Sequence, residues 1–180
     1  MQRTLETARL RLRPFEIADA PSIQRLAGDP AIADTTRNIP HPYPDGAAEA
    51  FIRSGWDAAA RGLGYPYAVV ERDSGDLVAS VGLRIDPDDR RGELGYWVGR
   101  PYWGRGYATE AAATLLRFSF LDLGLNRVFA TALSRNPASA RVLDKIGLRF
   151  EGTLRQHVVK HGVPEDLAMY GLVRADYSGE

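Results

Sequence analysis

One stretch constrains the fold of this chain more than any other. Residues 93–98 read as an extended segment, and the turn Trp103-Gly104-Arg105-Gly106-Tyr107-Ala108 follows. Ala108, Ala111, Ala112, Leu115 and Leu116 then recur at helical spacing as far as about Leu121. A strand that enters a helix through such a turn points several unpaired N–H groups, and the positive end of the helix dipole, at one spot. Such a spot suits phosphate. Gly104 and Gly106 let the backbone approach an anion that a side chain would hold off, and small Ala108 lets the helix lie close to its strand. Spacing removes two nucleotide-binding alternatives. A dinucleotide fingerprint needs a third glycine where Thr109 stands, and no Gly-Lys pair occurs for a triphosphate loop. A bare tight strand-to-helix connection is the remaining alternative.

The rest of the chain supplies a framework for that turn. Arg9-Leu10-Arg11-Leu12-Arg13 alternates charged and apolar side chains, as a half-buried strand does, and Pro14 closes it. Asp19 as N-cap with Ile23, Leu26 and Ala27 predicts a first helix, with Gly28 and Pro30 as its stop. The prolines of Ile39-Pro40-His41-Pro42-Tyr43-Pro44 exclude regular structure there. A second helix is predicted from Asp45 to about Arg61, ended by Gly62 and Gly64. Strands over 67–71, 77–85 and 93–98 form an antiparallel meander with turns at 73–76 and 86–92. Residues 127–133 read as another strand. The next helix has Asn136 at its N-cap, Pro137 at its first position and Gly147 just past its end. A closing hairpin over 148–158 and 167–173 turns around His161-Gly162-Val163-Pro164. The order implies one domain over residues 1–180, a mixed α/β sheet with helices on both faces.

Composition narrows the function classes. Lys plus Arg and Asp plus Glu number 23 each, so no global field recruits nucleic acid or an anionic membrane. No apolar run approaches the ~20 residues of a membrane span, and the charged N-terminal residues lack a signal-peptide pattern, so a cytoplasmic location is the expectation. Cysteine is absent, which removes disulfides, thiolate metal sites and an acyl-cysteine intermediate. His41, His157 and His161 lack metal-ligand spacing, and no metal is expected. No Gly-x-Ser-x-Gly elbow occurs.

Residues 93–125 resemble the cofactor motif of the Gcn5-related N-acetyltransferase (GNAT) superfamily, and most closely its RimJ and RimL branch of ribosomal-protein N-terminal acetyltransferases. In the pattern Gln/Arg-x-x-Gly-x-Gly/Ala, Gly106 and Ala108 match the last two fixed positions, and Trp103 stands where Gln or Arg is usual. Asn136 and Ser139 of Asn136-Pro137-Ala138-Ser139 resemble the branch's Asn-x-x-Ser, whose members contact the pantetheine arm and sulfur. Gly147 with Phe150-Glu151-Gly152-Thr153, the N-terminal Arg9-to-Pro14 segment and the proline-rich segment agree with it.

The resemblance implies a mostly antiparallel mixed sheet splayed at the cofactor strand, with acetyl-CoA as co-substrate. The pyrophosphate would rest on the amides of Trp103, Gly104, Arg105, Gly106, Tyr107 and Ala108. Tyr96, Trp97 and Val98 would line the splay, and Val98 would present a free N–H to the thioester carbonyl. Superfamily members often protonate the thiolate with a tyrosine seven residues after the motif asparagine. Leu143 stands there, so the resemblance leaves Ser139 as proton source or thiolate partner, with Tyr170 as a less favoured acid. Glu93 is the candidate base, or else a solvated strand-end charge. Each site residue also has a purely structural role open to it: Asn136 as N-cap, Ser139 as a helix-start residue, Glu110 as a partner of the helix dipole. The expected acceptor is a primary amine, either a protein N-terminus or a small molecule. Residues 39–44 and 157–164 are expected to line its entrance. Asp86, Asp88, Asp89 and Glu93, near one another in sequence, read as a solvated turn mixed with Arg90 and Arg91 rather than a polyamine site. A homodimer is expected on the resemblance alone. A coenzyme A binding module without turnover is the alternative of a different class.

Overall fold

In a computed structural model that describes residues 2–179, eight strands form one sheet in the order β1-β2-β3-β4-β5-β6-β8-β7. In chain order the elements are β1 (Leu5–Glu6), β2 (Leu10–Arg13), α1 (Ala20–Ala27), α2 (Pro30–Thr35), α3 (Ala47–Ala60), β3 (Gly64–Glu71), β4 (Leu77–Asp86), β5 (Arg91–Val98), α4 (Tyr107–Leu121), β6 (Arg127–Leu133), α5 (Pro137–Lys145), β7 (Arg149–Lys160) and β8 (Val163–Val173). Every pairing is antiparallel except β5 with β6. The expected mixed, mostly antiparallel single domain is the one observed.

Two apolar layers cover the sheet. Alternation in the strands sends Leu12, Tyr67, Val69, Val81, Leu83 and Leu94 to one face, where Ala111, Ala112, Leu115 and Leu116 of α4 and Leu143 of α5 meet them. The other face buries Ala68 and Leu77 under Ile23, Leu26 and Ala27 of α1 and Ala48 and Ile52 of α3. Phe15 anchors this second layer: its ring meets Phe51 edge-on at 5.4 Å, and its carbonyl accepts from Trp56 Nε1 at 2.8 Å.

Three expectations need correction. Pro30 does not merely stop a helix; it is the first residue of α2, capped by Asp29 Oδ1, which accepts from the Ala31 amide at 2.8 Å. The second predicted helix starts at Ala47 rather than Asp45, because Gly46 at φ 74° turns the chain into it. The N-terminal strand is preceded by β1, a two-residue strand too short to show a period. The strands also run longer than predicted at some ends. β3 begins at Gly64 and tolerates Pro66 because β2 pairs only from Ala68 onward, so no ladder bond is lost on that side. The β7–β8 hairpin closes on His161 and Gly162 alone, with Val163 and Pro164 already in β8.

Candidate active site

The parallel pairing of β5 and β6 covers only Arg91, Gly92 and Glu93 opposite Arg127, Val128 and Phe129. Beyond Glu93 the two strands part. Their outer neighbours hold them apart: β5 stays paired with β4 through Val98, and β6 with β8 through Leu133. The ladder then determines which amides are free. The Gly99 amide donates to Val78 O at 2.9 Å, so alternation turns the amides of Trp97 and Gly95 toward β4 and those of Tyr96 and Val98 into the gap. On the far side, the Ser134 amide donates to Asp166 O at 2.9 Å, which turns the amides of Thr131 and Leu133 into the same gap.

At the end of β5 the chain makes a single 3-10 turn over Arg100–Tyr102 and enters the glycine turn. Gly104 at φ 76° and Gly106 at φ 80° take left-handed conformations that non-glycine residues resist. Gly106 is the N-cap of α4. Its carbonyl accepts the Glu110 amide at 3.1 Å, but none of the amides from 104 to 109 donates to a backbone carbonyl among the described residues. That is the concentration of donors an anion requires.

Side chains hold this turn in place. The Trp103 indole donates to Val98 O at 2.6 Å, tying the turn back to the splayed strand. Arg9 Nη1 donates to Arg105 O at 2.9 Å, and Arg9 Nε to Glu110 Oε2 at 2.8 Å, while its guanidinium lies 5.0 Å from the centre of the Tyr107 ring. The Tyr107 hydroxyl donates to Glu71, which draws the Glu71 carboxyl below its ordinary pKa. Glu110 also takes the Thr7 hydroxyl and the Arg9 amide. This gives Glu110 the structural role.

Asn136 spans two elements. Its Oδ1 accepts from the Ser139 amide at 3.1 Å as the N-cap of α5, and its Nδ2 donates to Thr35 O at 3.1 Å at the end of α2. Arg135 reinforces this junction, with Nη2 on Asp34 Oδ1 at 3.0 Å and Nε on Glu165 at 2.7 Å. Ser139 Oγ therefore remains outside the cap. It lies 2.8 Å from the Tyr96 hydroxyl across the gap. Burial raises the Tyr96 phenol to about 12, against the smaller opposing effect of its bond to Ser139.

A cleft of about 580 Å³ passes through the sheet where the strands part. Tyr96, Ser139 and Leu143 line it from one face, and Ile39, Tyr43, Phe51 and Trp97 from the other. Glu93 sits at its apex, the last residue before the splay, with one oxygen 3.3 Å from Arg37 Nη1 and the other against Arg84 Nη2.

The structure thus brings Glu93, Tyr96, Trp97 and Ser139 to one cleft, and sets Val98, the residues from Trp103 to Ala108 and Asn136 beside it rather than in its wall. Residues 39–44 line it in part, as expected. Residues 157–164 are not in its wall, which departs from that expectation. Tyr170 also lies outside the cleft wall, packed against Phe150 at 5.6 Å. Of the four acids read as a solvated turn, Asp86 and Asp89 are so placed, with Arg91 on Asp86 at 2.9 Å and on Asp89 at 3.0 Å, whereas Glu93 lies on β5 in the cleft wall, which corrects that reading for Glu93. Sequence reasoning missed Arg37 and Arg84, as well as the hydroxyl contact of Tyr96. Nothing in the local pattern singles out Arg37, since it follows α2, a helix the sequence reading did not contain. Among the described residues no three His, Cys, Asp or Glu side chains converge as a metal site, and no helix is long and apolar enough to cross a membrane.

Residues 9–149 match the family model for the acetyltransferase (GNAT) domain. The uncharacterized N-acetyltransferase p20 of Bacillus licheniformis is 31% identical over 178 residues, covering 98% of this chain and 99% of its own. Among solved structures, a GNAT-family acetyltransferase from Bacillus anthracis superposes with a TM-score of 0.86 at 22% identity, over 96% of this chain and 99% of that one. Mycobacterium smegmatis RimJ in complex with CoA-disulfide gives 0.84 at 22% identity over 94% and 84%, a likeness of fold to the branch suggested by the sequence.

Proposed function

The chain belongs to the GNAT family of acetyl-CoA dependent N-acetyltransferases, and from that premise we propose that it acetylates a primary amine by direct attack in a ternary complex, with the acetyl-CoA arm in the β5–β6 splay. The observation that carries this reading is the continuity of donors. The inward amides of Tyr96 and Val98 lead along one strand edge into the unpaired amides of 104–109. An extended arm ending in a pyrophosphate needs that sequence of partners.

Acetyl-CoA supplies the thioester electrophile. The Val98 amide, with that of Tyr96 on the same edge, is the donor for a carbonyl oxygen on which negative charge develops. Both are backbone groups fixed by the β4 ladder and need no reorganisation. Ser139 Oγ is the proton source for the departing sulfur, and the Tyr96 hydroxyl fixes its direction. Glu93 receives the proton of the attacking amine, directly or through water, from the opposite side of the cleft. With no cysteine in the chain, an acyl-cysteine relay has no nucleophile. The cleft, open through the sheet, favours turnover over a coenzyme A binding module, because a binder has no use for an acceptor-side opening.

Initial velocities measured over a grid of acetyl-CoA and amine concentrations test the ternary complex. Intersecting reciprocal lines are expected. Parallel lines together with an acetylated protein seen by intact mass would contradict it.

A further inference from the structure

The cleft's charge is specific enough to name the class of acceptor, on the assumption that the acetyltransfer reading above is right. Among the described residues Glu93 is the only carboxylate in its wall, and two guanidiniums share it. Arg37 spends Nε on Asn38 Oδ1 at 3.3 Å and Nη1 on Glu93 and on Thr131 Oγ1, each at 3.3 Å. Its Nη2 has no acceptor among the described residues. Arg84 contacts Glu93 through Nη2; its Nε and Nη1 have no acceptor among the described residues and, on a side chain 74% exposed, face solvent at the mouth of the cleft. An arginine carries five N–H donors, so this pair holds a surplus of both donors and positive charge at the apex of an opening whose lining includes the apolar side chains of Ile39, Pro40, Tyr43, Phe51 and Trp97.

That arrangement excludes some acceptors. A polyamine brings several cations and would need several carboxylates, whereas the cleft wall holds one among the described residues. An aliphatic monoamine would make no use of these guanidinium donors and leave them to water. In the cleft, opposite charges lie on adjacent groups, so a ligand complementary to both has an ammonium and a carboxylate close together. The apolar wall adds a place for a hydrocarbon or aromatic side chain. We propose that Arg37 and Arg84 take the carboxylate of the acceptor, so that the amine acetylated is that of a free α-amino acid with an apolar side chain. Glu93 then faces the ammonium and the guanidiniums face the carboxylate. The ammonium gives one proton to Glu93 or water, the neutral amine nitrogen forms the new N–C bond as the C–S bond of the thioester breaks, the sulfur takes a proton from Ser139, and the second proton lost from nitrogen returns to the Ser139 oxygen through water.

Thiol release from acetyl-CoA tests this with phenylalanine and leucine, their carboxamides, and dipeptides that begin with the same residues. Free acids should exceed carboxamides and dipeptides by at least about tenfold in kcat/KM, the weight of one charge-assisted contact. Arg84→Glu should erase that preference by raising KM for the acids. Arg84 is largely exposed, so the variant is expected to fold, and coenzyme A calorimetry on it checks that. Arg37→Lys should weaken the preference partially, since a point charge replaces a fork. Amides or dipeptides acetylated as well as the acids, or an Arg84→Glu enzyme that keeps its preference, would overturn the acceptor assignment while leaving acetyltransfer intact. Absence of thiol release with every amine, alongside coenzyme A binding, would overturn both.

Discussion

The hydroxyls of Tyr96 and Ser139 lie 2.8 Å apart although their residues sit on elements that diverge from the apex of the sheet. Tyr96 comes from β5 and Ser139 from the first turn of α5, so the pair bridges the gap the parted strands leave open. With its phenol held near 12 by burial, Tyr96 stays neutral at physiological pH and can donate to Ser139 Oγ, freeing the serine proton to point into the cleft. Tyr96→Phe should therefore lower kcat by about tenfold or more with little change in KM for acetyl-CoA, and Ser139→Ala by more. The double variant should cost no more than Ser139→Ala alone, because the two act as one unit. Additive losses in steady-state kinetics would mean independent roles.

The same burial predicts a pH dependence of stability. A tyrosine ordinarily ionises near 10, whereas Tyr96 and Tyr67 both do so at about 12 in the folded protein, chiefly through desolvation. The folded state then holds more protons than the unfolded chain between those values. Stability is unaffected by these groups below pH 10 and falls as pH rises from 10 to 12. Urea midpoints for the wild type and for Tyr96→Phe across pH 9 to 11.5 should converge at the alkaline end; parallel curves would contradict the assignment.

Gly106 at φ 80° caps α4, and a side chain there would meet Arg9 Nη2 at 3.5 Å. Gly106→Val should cost on the order of 1–2 kcal/mol in stability and at least tenfold in coenzyme A affinity, since both the left-handed conformation and the anion approach are lost. Calorimetry showing unaltered affinity would remove the phosphate role of the turn. Arg9→Ala, which frees Arg105 O and Glu110, should weaken binding less.

Asn136 uses both ends of its amide, and the two uses can be separated. Asn136→Asp keeps the cap on the Ser139 amide and loses the donor to Thr35 O; Asn136→Ala loses both. Denaturation should rank wild type, then Asp, then Ala, with the cap worth about 1 kcal/mol. An equal loss for the two variants would place all the weight on Thr35.

Glu93→Gln should reduce turnover at neutral pH by on the order of 10²-fold and flatten the dependence on amine protonation. An unchanged pH-rate profile would leave Glu93 only as the partner of Arg37 and Arg84.

Features encoded within a few residues were legible before any coordinates. The meander of β3, β4 and β5, the glycine turn and the Asn136-Pro137 start of α5 each carry their signal locally. The cap of α2 was also present, in Asp29-Pro30, but a proline two residues after Gly28 reads equally as a stop. The Tyr96–Ser139 contact joins residues 43 positions apart, and the Arg37–Glu93 pair depends on a helix the pattern did not reveal. Such pairs are set by how β5 and β6 part, a property of strand order rather than of either segment. The splay itself was legible only through the family resemblance.

Amide hydrogen exchange with and without coenzyme A tests the central claim most directly. Tyr96, Val98 and residues 104–109 carry the amides that the fold leaves without backbone acceptors on the cofactor side. Coenzyme A should slow exchange at these positions and leave Trp97, already paired to β4, unchanged. Saturating coenzyme A that protects neither the β5 edge nor the glycine turn would contradict the account.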